Sequence, residues 1–222
     1  MGRFFLSTYL SNIKLPLSSQ IKSNMNYLAH LYLSGSDEAL RFGNFIGDAV
    51  KGNKYVHFPK PIQEGIILHR KIDSFTDHHP IYKETKQLFR PIFGHYKGVI
   101  LDVINDHFLS LQWEQYHPYP LNNYLLDFEK TFQTYAHHLT PEAKHFYEMF
   151  ISRKFMHQYD TFDGLELTLL GMERRIGYKA PLSQSIDDLK THYAHFENAF
   201  QLFFSEIQEY CKLEINKMNS EL

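Results

Sequence analysis

KPIQEGIILHRKIDSFTDHHP, residues 60–80, is the stretch that decides the fold class. It reads as one helix from about Lys60 to Asp77, because the residue before Pro80 avoids the helical region. Within it His69, Asp73 and Asp77 recur every four residues. That spacing stacks side chains on one helical face, with Cβ atoms about 5–6 Å apart. The neighbouring residues are apolar, so ionisable groups are set into a face that otherwise belongs to a core. VILDVINDHFL, residues 99–109, repeats the pattern: Asp102 and Asp106 are four apart and His107 follows. Carboxylates and imidazoles held that close repel one another unless a proton or a cation relieves them.

Working outward, helical periodicity dominates and strand alternation is scarce. A first helix is expected from about Asp37 to Val50, after Ser34-Gly35-Ser36 and before Gly52-Asn53. A third is expected from Ile81 to Phe93 and a fourth from Gly98 to Tyr116, stopping before Pro118. A fifth opens at Pro120-Leu121 and ends near His138. Thr140-Pro141-Glu142 offers a capping hydroxyl, proline at the first position and an acid at the positive dipole end, opening a helix to about His157. A seventh covers Phe162 to Ile176. The last starts at Ser185, with Ser185 and Asp188 as a capping-box-like pair. Neither a repeat nor a linker interrupts the series, so the expected architecture is one all-α domain, a single-domain helical bundle.

Composition narrows the function. The chain has 222 residues, 43% of them hydrophobic, enough for one sizeable core. Net charge is −2 with histidine neutral, and no basic stripe is present, which argues against nucleic acid as a partner. The single cysteine, Cys211, rules out an intrachain disulfide and a multi-cysteine zinc site, and suits a reducing cytoplasm. No apolar run approaches the roughly 18–20 residues of a membrane span. Residues 1–24 have a short apolar patch, Phe4 to Leu10, broken by Ser and Thr. They are read as a disordered or mis-started leader, with the domain occupying residues 25–222.

Aspartate and histidine without cysteine suit Mn²⁺, Fe²⁺ or Zn²⁺ better than Ca²⁺, which prefers oxygen alone. Candidate ligands are His30 in NYLAHLYL, Asp48 in GNFIGDAVKGN, His69, Asp73, Asp102 and Asp106. A metal held there would acidify water and polarise a phosphoryl oxygen, the equipment of a phosphodiesterase or phosphatase. Each residue also has a plainer reading. His30 suits a satisfied core histidine, Asp48 and Asp77 suit helix ends or turns, and His69, Arg70 and Asp73 suit a solvated ion-pair face. Asp102 and Asp106 carry more weight, because Leu101, Val103, Ile104 and Phe108 crowd them. The pairs His78-His79 and His137-His138 are read as surface, since helix neighbours point about 100° apart. Arg174 and Arg175, in ERR, are candidates for holding an anion.

Five separate stretches carry a family resemblance: MNYLAHLYL (25–33), GNFIGDAVKGN (43–53), GIILHRKIDSFTD (65–77), LDVINDHFL (101–109) and GMERR (171–175). In order and spacing they resemble the motifs of the acyl carrier protein phosphodiesterase (ACP hydrolyase) family, over about Met25 to Tyr210. The resemblance implies an all-helical, HD-domain-like fold, divergent from the HD-type metal-dependent phosphohydrolases. It implies hydrolysis of the phosphodiester joining 4′-phosphopantetheine to a serine of holo acyl carrier protein. Mn²⁺ is the implied ion, with Fe²⁺, Mg²⁺ or Zn²⁺ as substitutes. The implied metal and catalytic positions are His30, Asp48, His69, Asp73, Asp102, Asp106 and His107. Of these, Asp48, His69, Asp106 and His107 are the candidates for catalysis, and Asp77 stands behind the set. The plain HD doublet is absent, and Asp106-His107 is its reverse.

Arg70, Arg174 and Arg175 are then candidates to steady phosphate. Lys51, Lys54, Arg70 and Lys71 would dock a strongly acidic carrier protein. Two other classes compete: an HD-type phosphohydrolase of a small phosphoester or nucleotide, and a helical binding module without metal.

Overall fold

The computed structural model describes residues 27–220, so the expected leader at residues 1–24 lies outside them. Among the described residues there are eleven α-helices and no strand. In chain order they are α1 (Tyr27–Leu33), α2 (Glu38–Ile46), α3 (Lys60–His78), α4 (Pro80–Thr85), α5 (Lys97–Leu111), α6 (Trp113–Tyr116), α7 (Leu121–Tyr135), α8 (Pro141–Ser152), α9 (Phe162–Arg175), α10 (Ser185–Thr191) and α11 (Tyr193–Ser220). The all-α bundle expected from periodicity is therefore what forms.

Local chemistry accounts for most boundaries. Asp37 caps α2, accepting from the Leu40 N–H at 2.7 Å. The Thr140 hydroxyl caps α8 by accepting from Ala143, with Pro141 at the first helical position. Helix α3 ends where His79, preceding Pro80, turns extended. The same rule breaks the helix expected over Ile81 to Phe93: Arg90 precedes Pro91 and is extended, leaving α4 and two short 3₁₀ turns. Two more expected helices divide, at Gln112 and at His192. The expected helix to His157 stops at Ser152, and Lys154 adopts a left-handed conformation beyond it.

Other expectations are corrected. Ser185 does not cap: its hydroxyl donates to the Leu182 carbonyl, and Asp188 accepts from the Arg90 guanidinium. His79 is buried, 3.1 Å from Glu206, rather than at the surface; His78 and His137 are exposed. Helix α1 was not expected, because His30 was read as lying before the first helix.

The core holds most of the phenylalanines. Phe45, Phe128, Phe132, Tyr147 and Phe150 pack together behind α2. Phe108, Phe200 and Phe204 join α5 to α11. Helices α2 and α3 make the most extensive helix–helix contact among the described residues, and two glycines allow it. A Cβ on Gly43 would stand 2.2 Å from the Ile62 carbonyl oxygen, and one on Gly65 would stand 2.1 Å from that of Leu40. Backbone meets backbone there, which brings the end of α2 against the middle of α3.

Candidate metal centre

That crossing continues one turn further into the site. After α2, Gly47–Ala49 tightens into a 3₁₀ turn that carries Asp48. A Cβ on Gly47 would lie 2.3 Å from His69 Cγ, so only glycine lets the imidazole lie against this turn. His69 Nε2 then stands 3.5 Å from an Asp48 oxygen and 3.4 Å from an oxygen of Asp73, one helical turn away on α3. From α1, His30 stacks on His69 with ring centroids 4.2 Å apart, and its Nε2 is 3.4 Å from the other Asp73 oxygen. The ligand atoms of His30, His69 and Asp73 all lie within 4.8 Å of one another.

These atoms converge without hydrogen bonds to satisfy them. The Nε2 atoms of His30 and His69 and Oδ2 of Asp48 are buried and lack a well-formed hydrogen bond among the described residues. Buried polar atoms are normally satisfied, so such a concentration needs an explanation. Two imidazole nitrogens and the Asp73 carboxylate facing one point, with Asp48 against His69, match the donors of Mn²⁺, Fe²⁺ or Zn²⁺. The residues fit a divalent ion.

Electrostatics is consistent with a site short of positive charge. Burial lowers the His30 pKa, and the adjacent His69 lowers it further against the pull of Asp73 and Asn44. Burial also works against charge on His69, but Asp48 and Asp73 outweigh it and its pKa ends above the ordinary value. The cluster opens on a cleft of about 280 Å³ lined by Asp48, Lys51, His69, Arg70, Asp73 and Asp77.

The acids of α5 are used differently. Asp106 is fully buried, and its two oxygens accept from the backbone N–H groups of Leu28 and Ala29 at 2.9 and 2.8 Å. It caps the N-terminus of α1 from a distant helix. His107 Nδ1 is 2.6 Å from the Tyr159 carbonyl, to which it donates, and its ring lies beside Phe162. Asp102 is buried against the Tyr82 hydroxyl. Burial, with Asp73, Asp77 and Asp48 adding to it, lifts the Asp102 pKa to about 8 in spite of that bond. The structure thus brings His30, Asp48, His69 and Asp73 together at the cleft, with Asp77 at its rim. Asp102, Asp106 and His107 are engaged in the packing behind it.

The basic candidates also divide. Lys51 lines the cleft and is exposed, as is Lys54 beside it. Arg70 donates to the Val50 and Gly52 carbonyls and covers the Tyr55 ring, so it braces the loop that forms the cleft wall. Lys71 faces away from the cleft and pairs with Glu214 of α11. Arg174 is exposed, whereas Arg175 lies over Phe146 and, with Asp48, acts on the buried Tyr27 hydroxyl. Sequence reasoning missed Asn44, Gly47 and Tyr82. Asn44 and Gly47 stand inside the GNFIGD motif, and the motif was the available signal.

Known proteins are similar to this chain over most of its length. A profile of the acyl carrier protein phosphodiesterase family matches residues 25–207. An acyl carrier protein phosphodiesterase of Enterobacter sp. (strain 638) is 33% identical over 189 residues, covering 85% of this chain and 98% of its own. Those of Salmonella dublin and Klebsiella pneumoniae subsp. pneumoniae are also 33% identical, over 181 and 184 residues, covering 81% and 82% of this chain and 94% and 95% of theirs. No solved structure matches it. With the matched region spanning α1 to α11 and including every residue of the cluster, the chain belongs to the acyl carrier protein phosphodiesterase family.

Proposed function

We propose that this protein is a metal-dependent phosphodiesterase that hydrolyses 4′-phosphopantetheine from holo acyl carrier protein, giving apo carrier protein and free 4′-phosphopantetheine. The observation that carries the reading is the convergence of His30, His69 and Asp73 beside an open cleft that His69, Asp73 and Asp48 line, in a chain of this family. The imidazole Nε2 atoms of His30 and His69 and the carboxylates of Asp48 and Asp73 would hold a divalent ion, Mn²⁺ being favoured over Fe²⁺, Mg²⁺ and Zn²⁺. Such an ion supplies charge that polarises a phosphoryl oxygen and makes water more acidic.

The remaining work falls to the chain itself. Water adds to phosphorus, the bond from phosphorus to the serine oxygen breaks, and that oxygen takes up a proton. Asp48, which lines the cleft and has one oxygen without a hydrogen-bond partner, is the acceptor for the proton of the attacking water. Lys51 at the rim meets the phosphate or its acidic carrier, and Arg70 keeps the loop bearing Lys51 in place. Asp106 and His107 support the site by fixing α1 and the segment around Tyr159. Asp102 supports it through Tyr82. No helix among the described residues is long and apolar enough to cross a membrane. The cytoplasm, where carrier protein and a single reduced cysteine belong together, is the compartment this reading implies.

A mass assay on purified holo acyl carrier protein tests the proposal. Loss of the phosphopantetheine mass with Mn²⁺, and none with chelator, is expected. Retention of the group while a small phosphodiester is cleaved would favour the small-phosphoester reading.

A further inference from the structure

Asn44 lies behind the cluster, fully buried on α2, one helix turn before Asp48. Its Oδ1 is 2.6 Å from His30 Nδ1. Its Nδ2 donates to the His30 carbonyl at 3.0 Å and to the Ser34 hydroxyl oxygen at 2.8 Å. Ser34 spends its own proton on the His30 carbonyl, at 2.7 Å.

These bonds leave one consistent arrangement. A carbonyl can only accept, and the Ser34 oxygen has already donated, so the Asn44 atom facing both must be the NH₂. The amide oxygen therefore faces His30, and the Nδ1 of His30 must carry the hydrogen. Reversing the amide would set its oxygen against the His30 carbonyl, at a distance where two buried acceptors repel. A neutral imidazole with its proton on Nδ1 has its lone pair on Nε2. That atom is the one 3.4 Å from Asp73 and stacked beside His69.

We infer that Asn44 is a positioning residue: it holds His30 as the Nδ1–H tautomer and so directs the Nε2 lone pair at the point where His69 and Asp73 converge. For its functional meaning this rests on the metal-centre reading above. Groups that orient an imidazole through its second nitrogen fix both tautomer and ring angle, and losing one weakens metal affinity by about 10–100-fold.

The test uses the full chain, labelled with ¹⁵N-histidine and freed of metal, with His30→Gln to identify the His30 resonances. A second readout is Mn²⁺ titration followed by electron paramagnetic resonance, without substrate. Wild-type His30 is expected to show a protonated Nδ1 and an unprotonated Nε2. Asn44→Ala is expected to lose that preference and to bind Mn²⁺ about 10–100-fold more weakly. Asn44→Asp keeps an acceptor for Nδ1–H and is expected to keep the tautomer, at a cost in stability because its second oxygen faces the His30 carbonyl. A wild-type His30 protonated on Nε2 overturns the inference. So does a folded Asn44→Ala with unchanged tautomer and unchanged affinity. If Asn44→Ala does not fold, the wild-type spectrum and Asn44→Asp decide the matter. Normal tautomer and affinity in a protein that leaves holo carrier protein intact would overturn the proposed substrate and leave the role of Asn44 standing.

Discussion

Asp73 and Asp106 look alike in sequence, each an aspartate four residues from another ionisable group on a largely apolar helix. In the structure they differ in what faces them. Asp73 is 25% exposed, at the cleft, with two imidazole nitrogens 3.4 Å from its oxygens. Asp106 is 0% exposed and faces two backbone N–H groups at the start of α1. An acid opposite lone pairs calls for a cation. An acid opposite orphan N–H groups is already satisfied. The spacing of four identifies a face of a helix and says nothing about which of these partners that face will meet.

The sharpest way to break the comparison is to neutralise each acid. Asp73→Asn is expected to remove activity by about 10³-fold or more, since several kcal/mol of charge stabilisation depend on the ion it helps hold. The fold should survive, because the variant relieves electrostatic crowding. Asp106→Ala is expected to do the reverse. It orphans two buried N–H groups and should cost about 2–4 kcal/mol of stability, with residual activity following the folded fraction. Denaturant unfolding and carrier-protein turnover, measured on both variants, check this. Equal stability losses with equal activity losses would erase the distinction.

Gly47 sharpens the comparison from the backbone side. Gly47→Ala introduces a Cβ that would lie 2.3 Å from the His69 ring, so the ring or the turn must move. A displacement of about 1 Å in a ligand is expected to lower kcat by roughly 10²-fold. Gly52, on the same loop, has open space around its Cβ position but a φ of +57°, so Gly52→Ala should strain the loop without touching the imidazole. Steady-state kinetics on the two variants separates the clash from the strain.

Much of this was legible beforehand. The extent of α3, the cap at Thr140, and the acids embedded in α3 and α5 all follow from local chemistry that a sequence displays. The crossing of α2 and α3 was not legible, because Gly43 and Gly65 act through a close approach of two backbones far apart in the chain. Nor was α1, a helix of seven residues that owes its start to Asp106. His79 read as surface because its partner, Glu206, comes from α11. The site residues were found by type and motif, and the sorting of cleft from support needed the fold.

Asp102 stands between the two kinds of acid, and pH exposes its position. In the metal-free protein its pKa rises from an ordinary 3.8 to about 8, chiefly through burial. Between those values the folded state keeps a proton that the unfolded state has released, so stability falls as pH rises. The slope from this group alone is about 1.4 kcal/mol per pH unit. Asp102→Asn removes that slope and keeps an acceptor for Tyr82. The expected outcome is that chelator-treated wild type loses stability from pH 5 to pH 7 and the variant loses less. Denaturant midpoints at the two pH values measure it.

The smallest expected effect separates the lysines. Lys51 and Lys54 are exposed at and beside the cleft, whereas Lys71 is tied to Glu214 on α11. If the rim docks an acidic carrier, the double variant Lys51→Ala with Lys54→Ala should raise KM by roughly three- to tenfold at low salt, with kcat little changed. The difference should fade at high ionic strength, as screening removes the same attraction from the wild type. Lys71→Ala should leave KM alone and cost no more than about 1 kcal/mol of stability, because its partly exposed ion pair is screened by solvent. A KM effect from Lys71 equal to that of the pair would move the docking surface off the cleft rim, toward the face that α3 shares with α11.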